Sequence, residues 1–149
     1  MLAALVALAA VLAGAYAVGY RLNLQTGSVP VPTATASPED VVRSYAEAYD
    51  RRDFATMRAI YPSEQSAYSR FRVMGTMRNL QITRSRMVDK DPRRATRPGH
   101  CYALVSVTLD LTGLTGSDWA YDEGPNGWTY ELERSSTAEP WTIVDHGNP

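Results

Sequence analysis

The side chains best suited to chemistry are Asp145, His146, Cys101 and a scattered set of aromatic residues. Asp145 follows Trp141 and Ile143 at even spacing, so an unbroken strand puts all three on one face. If that face lined a pocket, burial would raise the carboxyl pKa toward the range a general acid or base needs. The plainer reading weighs more: a solvated carboxylate at a strand end, since perturbed acids mark sites only statistically. His146 faces the other way on the same unbroken strand. It is expected to be exposed or hydrogen-bonded, not to form a dyad with Asp145 unless the strand bends there. Cys101 shares a face with Val105 and Val107, which predicts a buried small hydrophobe, not a reactive thiol. As the only cysteine in the chain, it cannot form an intramolecular disulfide.

Phosphate-loop, H-E-x-x-H, C-x-x-C and G-x-S-x-G signatures are all missing from the sequence. The two histidines, His100 and His146, fall on separate predicted strands, so no metal is expected. No cofactor is expected either. The candidates for ligand contact are Tyr45, Tyr49, Tyr61, Trp128, Tyr130 and Trp141, with Asp145. Phenol and indole groups could orient a ring-shaped or apolar ligand. The same rings at helical or strand spacing more often fill a core. Arg84, Arg86, Arg93, Arg94 and Arg97 crowd one strand and loop, where they could meet anionic lipid or an acidic partner. A solvated face is the simpler account. The net charge is −1, so no nucleic-acid partner is expected.

The elements that must carry these residues start at Ser37. Ser37 is a good N-cap, Pro38 suits the first helical position and Asp40 places a carboxylate in the first turn. Val41, Val42, Tyr45, Ala46, Ala48 and Tyr49 then form one apolar stripe, with Arg43, Glu47 and Arg51 opposite. Asp53 caps a second short helix with Phe54, Met57, Ile60 and Tyr61 inward, and Pro62 ends it. A further helical turn is predicted within residues 63–72. Strands follow at 79–88, with Arg84 and Arg86 outward, and at 100–111, where Cys101 to Leu111 alternate cleanly. Residues 89–99 and 113–127 read as connections. Trp128, Tyr130 and Leu132 share a face of the third strand, and Trp141, Ile143 and Asp145 a face of the last. Helices first and antiparallel strands after predict an α+β domain over 37–149. A hydrophobic content of 44% over 149 residues suffices for one core without a covalent staple.

Residues 1–20 carry no charge and approach the roughly 20 apolar residues that cross a bilayer. They read as a membrane anchor or a signal peptide; small-residue cleavage patterns end at Ala15 and Ala17. A buried helix ranks last. Residues 21–36, with Pro30 and Pro32 among small hydroxyl residues, predict an extended linker that buries nothing. Arg21 behind the run, with no basic residue ahead of it, taken alone would leave the domain in the cytoplasm. The chain opens inside the run, where a basic leader would stand, and the expectation is a domain outside the cytoplasm: single-pass if the run is retained, secreted if it is cleaved.

The stretch SPEDVVRSYAEAYDRRDFATMRAIY (37–61) resembles the opening of nuclear transport factor 2-like domains, and PWTIVDHG (140–147) resembles their last strand. The likeness covers about 37–147 and looks closest to a bacterial group with an N-terminal apolar segment. It implies helices on a curved antiparallel sheet, a cone with an internal pocket. That superfamily hosts isomerases, dehydratases, transport factors and binders, so fold alone does not choose. The leading expectation is a non-catalytic module outside the cytoplasm that binds a small molecule or protein. The alternative is an isomerase or dehydratase with Asp145 as base and Tyr49 as donor. The matching carboxylate on the helices and the catalytic histidine of those enzymes are missing from the sequence. A purely structural envelope role and a homodimer through the sheet face complete the expectations.

Overall fold

The computed structural model describes residues 2–17, 26–63, 76–90, 96–112 and 124–147. Three helices precede four strands: α1 Leu2–Ala17, α2 Pro38–Asp50, α3 Phe54–Ile60, β1 Thr76–Val88, β2 Cys101–Thr112, β3 Gly124–Arg134 and β4 Thr142–Gly147. The strands form one antiparallel sheet in the order β1-β2-β3-β4. The class is therefore α+β, as the order of patterns predicts. The helical turn expected within 63–72 falls almost wholly outside the described residues.

α2 begins at a reciprocal cap. Ser37 Oγ accepts the Asp40 N–H at 3.2 Å, and Asp40 Oδ2 accepts the Ser37 N–H at 3.3 Å. Two donors at the helix start are thereby satisfied. All six stripe residues from Val41 to Tyr49 are buried. On the opposite face Arg51 meets Glu47 at 2.7 Å, an exposed pair worth a few tenths of a kcal/mol. The chain leaves α2 through Arg52, whose φ of 56° stops the helix. Asp53 starts α3 by accepting the Thr56 N–H at 3.2 Å, and Met57 and Ile60 are buried behind it.

The expected linker is in part a piece of the domain. Val29 is buried in the core. Its N–H donates to Asp53 Oδ2 at 2.8 Å, and its carbonyl accepts the buried Thr56 hydroxyl at 2.7 Å. A lone valine between polar residues has no period to reveal it, yet it straps the segment onto the start of α3. No residue of α1 is buried. Among the described residues no helix is long and apolar enough to cross a membrane.

On β2, alternate residues Ala103, Val105, Val107, Leu109 and Leu111 are buried toward the helices. Val107 faces Trp128 and Ala103 faces Leu132 on β3. Cys101 is only half-buried, packing one side against the core. Tyr102 is buried on the outer face, where its hydroxyl accepts the Arg97 N–H at 3.0 Å. β1 starts earlier than its sequence pattern suggests and holds two extra residues, one at Asn79–Leu80 and one near Thr83. β4 holds another. Leu132 pairs with Ile143 but Glu131 pairs with Asp145, so Val144 is the additional residue. Such bulges bend a strand and re-aim its side chains. Here the bulge corrects an expectation: Asp145 leaves the face of Trp141 and Ile143, and His146 joins it.

Candidate functional site

The inner face gathers most of the aromatic candidates. Tyr45 lies 5.8 Å from Tyr61, 6.1 Å from Tyr130 and 6.5 Å from Tyr49, centroid to centroid. Trp128 lies 6.2 Å from Tyr130. His146, turned inward by the bulge, stands 5.1 Å from Trp128, 5.7 Å from Tyr130 and 5.6 Å from Tyr61. The Tyr61 hydroxyl is 3.2 Å from His146 Nδ1. Tyr45 meets Tyr61 and Tyr130 edge-to-face, whereas His146 stacks on Tyr130, and aromatic pairs of these geometries add to area burial by about 1 kcal/mol each. Tyr45, Tyr49, Tyr61, Trp128, Tyr130 and Trp141 are each at most 8% exposed. They are packed against one another in the core between helices and sheet. Trp141 belongs to this core but sits beneath a different neighbour, the Arg134 guanidinium 4.4 Å from its ring.

Asp145 is not among them. Its register partner is Glu131 on the outer face, and its Oδ1 accepts the His146 N–H at 2.7 Å. The base-and-donor pairing of Asp145 with Tyr49 is therefore not assembled, because the sheet lies between them. The sequence marks His146 as exposed or hydrogen-bonded, and the Tyr61 hydroxyl meets it, but its place among the rings is not legible there, because a single inserted residue is invisible to a period-two pattern.

An open concavity lies elsewhere among the described residues, between α2 and β1. It is a groove of about 550 Å³. Arg43, Glu47 and Asp50 come from α2, Arg51 from its C-cap, and Arg78 and Asn79 from β1, above an apolar floor of Ala46, Met77 and Leu80. The residues of α2 and its C-cap arise from helical spacing: 43, 47, 50 and 51 recur on one side as the buried stripe turns to the other. Asp50 closes the groove's inner end by accepting the Met77 N–H at 2.7 Å. Burial pushes its carboxyl pKa above the usual carboxylate range, against the opposing pull of the Met77 N–H, Arg78 and Arg52. Asn79 takes a left-handed φ of 53°, which asparagine tolerates better than most residues. Its side-chain amide donates to Asp110 Oδ2 at 2.6 Å, holding the first β1 bulge in place beside the groove. Three arginines against two carboxylates give the groove mixed charge with a positive excess.

The outer face of the sheet is split by charge. Arg84 and Arg86 stand on β1, opposite Ser106 and Leu104. Glu131 and Asp145 stand together near the other edge. Glu133 receives Arg97 at 3.8 Å. Among the described residues no group of three His, Cys, Asp or Glu could hold a metal ion.

No protein-family model, curated protein or solved structure matches this chain.

Proposed function

We propose that this domain is a non-catalytic binding module, carried outside the cytoplasm behind its apolar N-terminal segment, and that its site is the groove between α2 and β1. The observation that carries the reading is the contrast in packing. The aromatic side chains that could have lined an internal pocket pack against one another, whereas the α2–β1 groove is open and rich in charge. A concavity with an apolar floor and convergent polar groups is the ordinary form of a ligand site. The helix pair on one side of a sheet bent by bulges also supports a nuclear transport factor 2-like arrangement of helices on a curved sheet. α1, apolar and without a buried residue, supports the tethered address.

The test is selection of a displayed random-peptide library on the full-length chain. Wild-type protein is expected to enrich peptides whose binding falls about tenfold or more with Arg43→Glu or Arg78→Glu, since charge reversal turns attraction into repulsion. Enrichment indifferent to both changes, or none, refutes the groove. Turnover of a substrate that depended on His146 or Asp145 would replace this reading with an enzymatic one.

A further inference from the structure

We propose that the free edge of β1 takes up an extended polypeptide with acidic side chains at alternate positions, adding it as a fifth strand. The proposal rests on the groove reading and extends it along the same strand, from Arg78, Asn79 and Leu80 in the groove to Arg84 and Arg86 beyond it. Among the described strands β1 is outermost in the sheet, and Thr83, Arg84, Ser85, Arg86 and Met87 are exposed in unbroken succession. A strand fully covered by helices on one face would show exposure only at every second residue; here the start of α2 reaches it through a hydrogen bond between the Glu39 and Ser85 side chains. An edge of this length presents unpaired backbone groups that a guest strand can satisfy. Met77 shows the demand. Its N–H points away from β2 and is taken by Asp50 at 2.7 Å, the place a guest carbonyl would hold further along.

Charge selects the guest. The register puts Arg78, Arg84 and Arg86 on the outer face, opposite Asp110, Ser106 and Leu104. Arg84 and Arg86 are exposed and make no ion pair or hydrogen bond among the described residues. A second copy is a poor guest, because antiparallel pairing of two β1 edges about Ser85 sets Arg84 against Arg86 of the other copy. Like charges directly opposite are destabilising, and opposite charges stabilise. A guest with Glu or Asp facing Arg84 and Arg86 meets the second condition. Its intervening side chains turn to the helix side, where Ile82 is half-buried and Met87 is 57% exposed. The pattern that fits is therefore acidic alternating with apolar.

The full-length chain in detergent is titrated, by fluorescence anisotropy, with a labelled peptide alternating Glu and Val. Comparisons are the Lys-for-Glu peptide and two Glu peptides N-methylated on complementary alternate sets of amides. The Glu peptide should bind about tenfold or more tightly than the Lys peptide, and the double change R84E/R86E should invert that preference. One methylated set should abolish binding while the other leaves it intact, because an added strand bonds through one edge only. R84Q/R86Q, which keeps size without charge reversal, should bring the Glu and Lys peptides to similar affinity. Equal loss from both methylated sets, or an unchanged Glu preference in R84E/R86E, overturns strand addition. So does arginine-dependent binding seen only with phosphatidylglycerol vesicles. If library peptides bind in the groove and the acidic peptide does not, strand addition fails and the groove reading stands. If neither binds, both fall.

Discussion

β4 and β1 are the two outermost of the described strands, but they meet their surroundings differently. β4 spans six residues, and its Ile143 is fully buried. Tyr61 at the end of α3 reaches His146 at 3.2 Å, and Ser63 Oγ donates to the Val144 carbonyl at 3.4 Å. β1 spans thirteen residues, and in its second half Thr83 to Met87 are exposed on both faces, with Glu39 of α2 reaching across to the Ser85 side chain. A bulge serves each edge to opposite effect. On β4 it turns an aromatic-packing histidine inward, and on β1 it bends the strand beside an open groove. One edge is thereby met by the protein's own residues just past α3, Tyr61 and Ser63, and the other is left to be guarded by arginines. The lesson is that edge protection by burial and by charge have different uses: only a charged edge can still be occupied by something of the opposite sign.

The largest expected break in this contrast comes from the core side. Ile143→Ala should cost about 2–5 kcal/mol. Ile82→Ala on half-buried β1 should cost roughly 1 kcal/mol, since less apolar area returns to water. Urea unfolding of the two variants checks the difference, and equal losses would erase the distinction between the edges. Next comes Asp53, whose two carboxylate oxygens serve the α3 cap and Val29. Asp53→Ala should lose about 1–2 kcal/mol. Tyr61→Phe removes the hydrogen bond to His146 and should cost about 1 kcal/mol without altering the sheet. R84E/R86E should change stability by less than about 0.5 kcal/mol, so any large effect on peptide binding belongs to recognition.

Acid titration separates two neighbouring carboxylates. The Val29 and Thr56 N–H groups hold the Asp53 pKa below its ordinary value of 3.8. Its contribution to stability is present above 3.8 and is lost as the pH falls through the lower folded value. Asp50 has the opposite sign. Burial raises its pKa above 3.8, so its ionisation costs stability as the pH climbs from 3.8 through the raised value. The stability of Asp50→Asn relative to wild type should therefore improve across that same rise. A pH-independent difference would mean that Asp50 is as well solvated folded as unfolded.

Much of this architecture was legible because several signals agreed. For α2, the cap at Ser37, the proline at 38 and the six-residue stripe all specify one helix in one orientation. For β2, unbroken alternation fixes the inner face. What escaped were single-residue events. Val144 reverses the facing of everything after it in β4, so Asp145 was assigned to the wrong side and His146 left out of the ring cluster. Asn79 and Thr83 blur the alternation of β1, and Val29 anchors a segment whose composition reads as a spacer. The groove was illegible for another reason. Its residues come from α2 and β1, more than 25 positions apart in sequence, and only their packing brings Arg43, Asp50 and Arg78 around one space.

The strap at Val29 has a mechanical consequence. Tension arriving along the backbone from α1 meets one buried side chain and two hydrogen bonds, to Asp53 and from Thr56, before any part of the sheet is loaded. Because Asp53 also begins α3, peeling that strap away would loosen the helix that braces β4. Single-molecule extension would register this as a short first step ahead of the main rupture, and a lone main rupture would show that the strap bears no separate load.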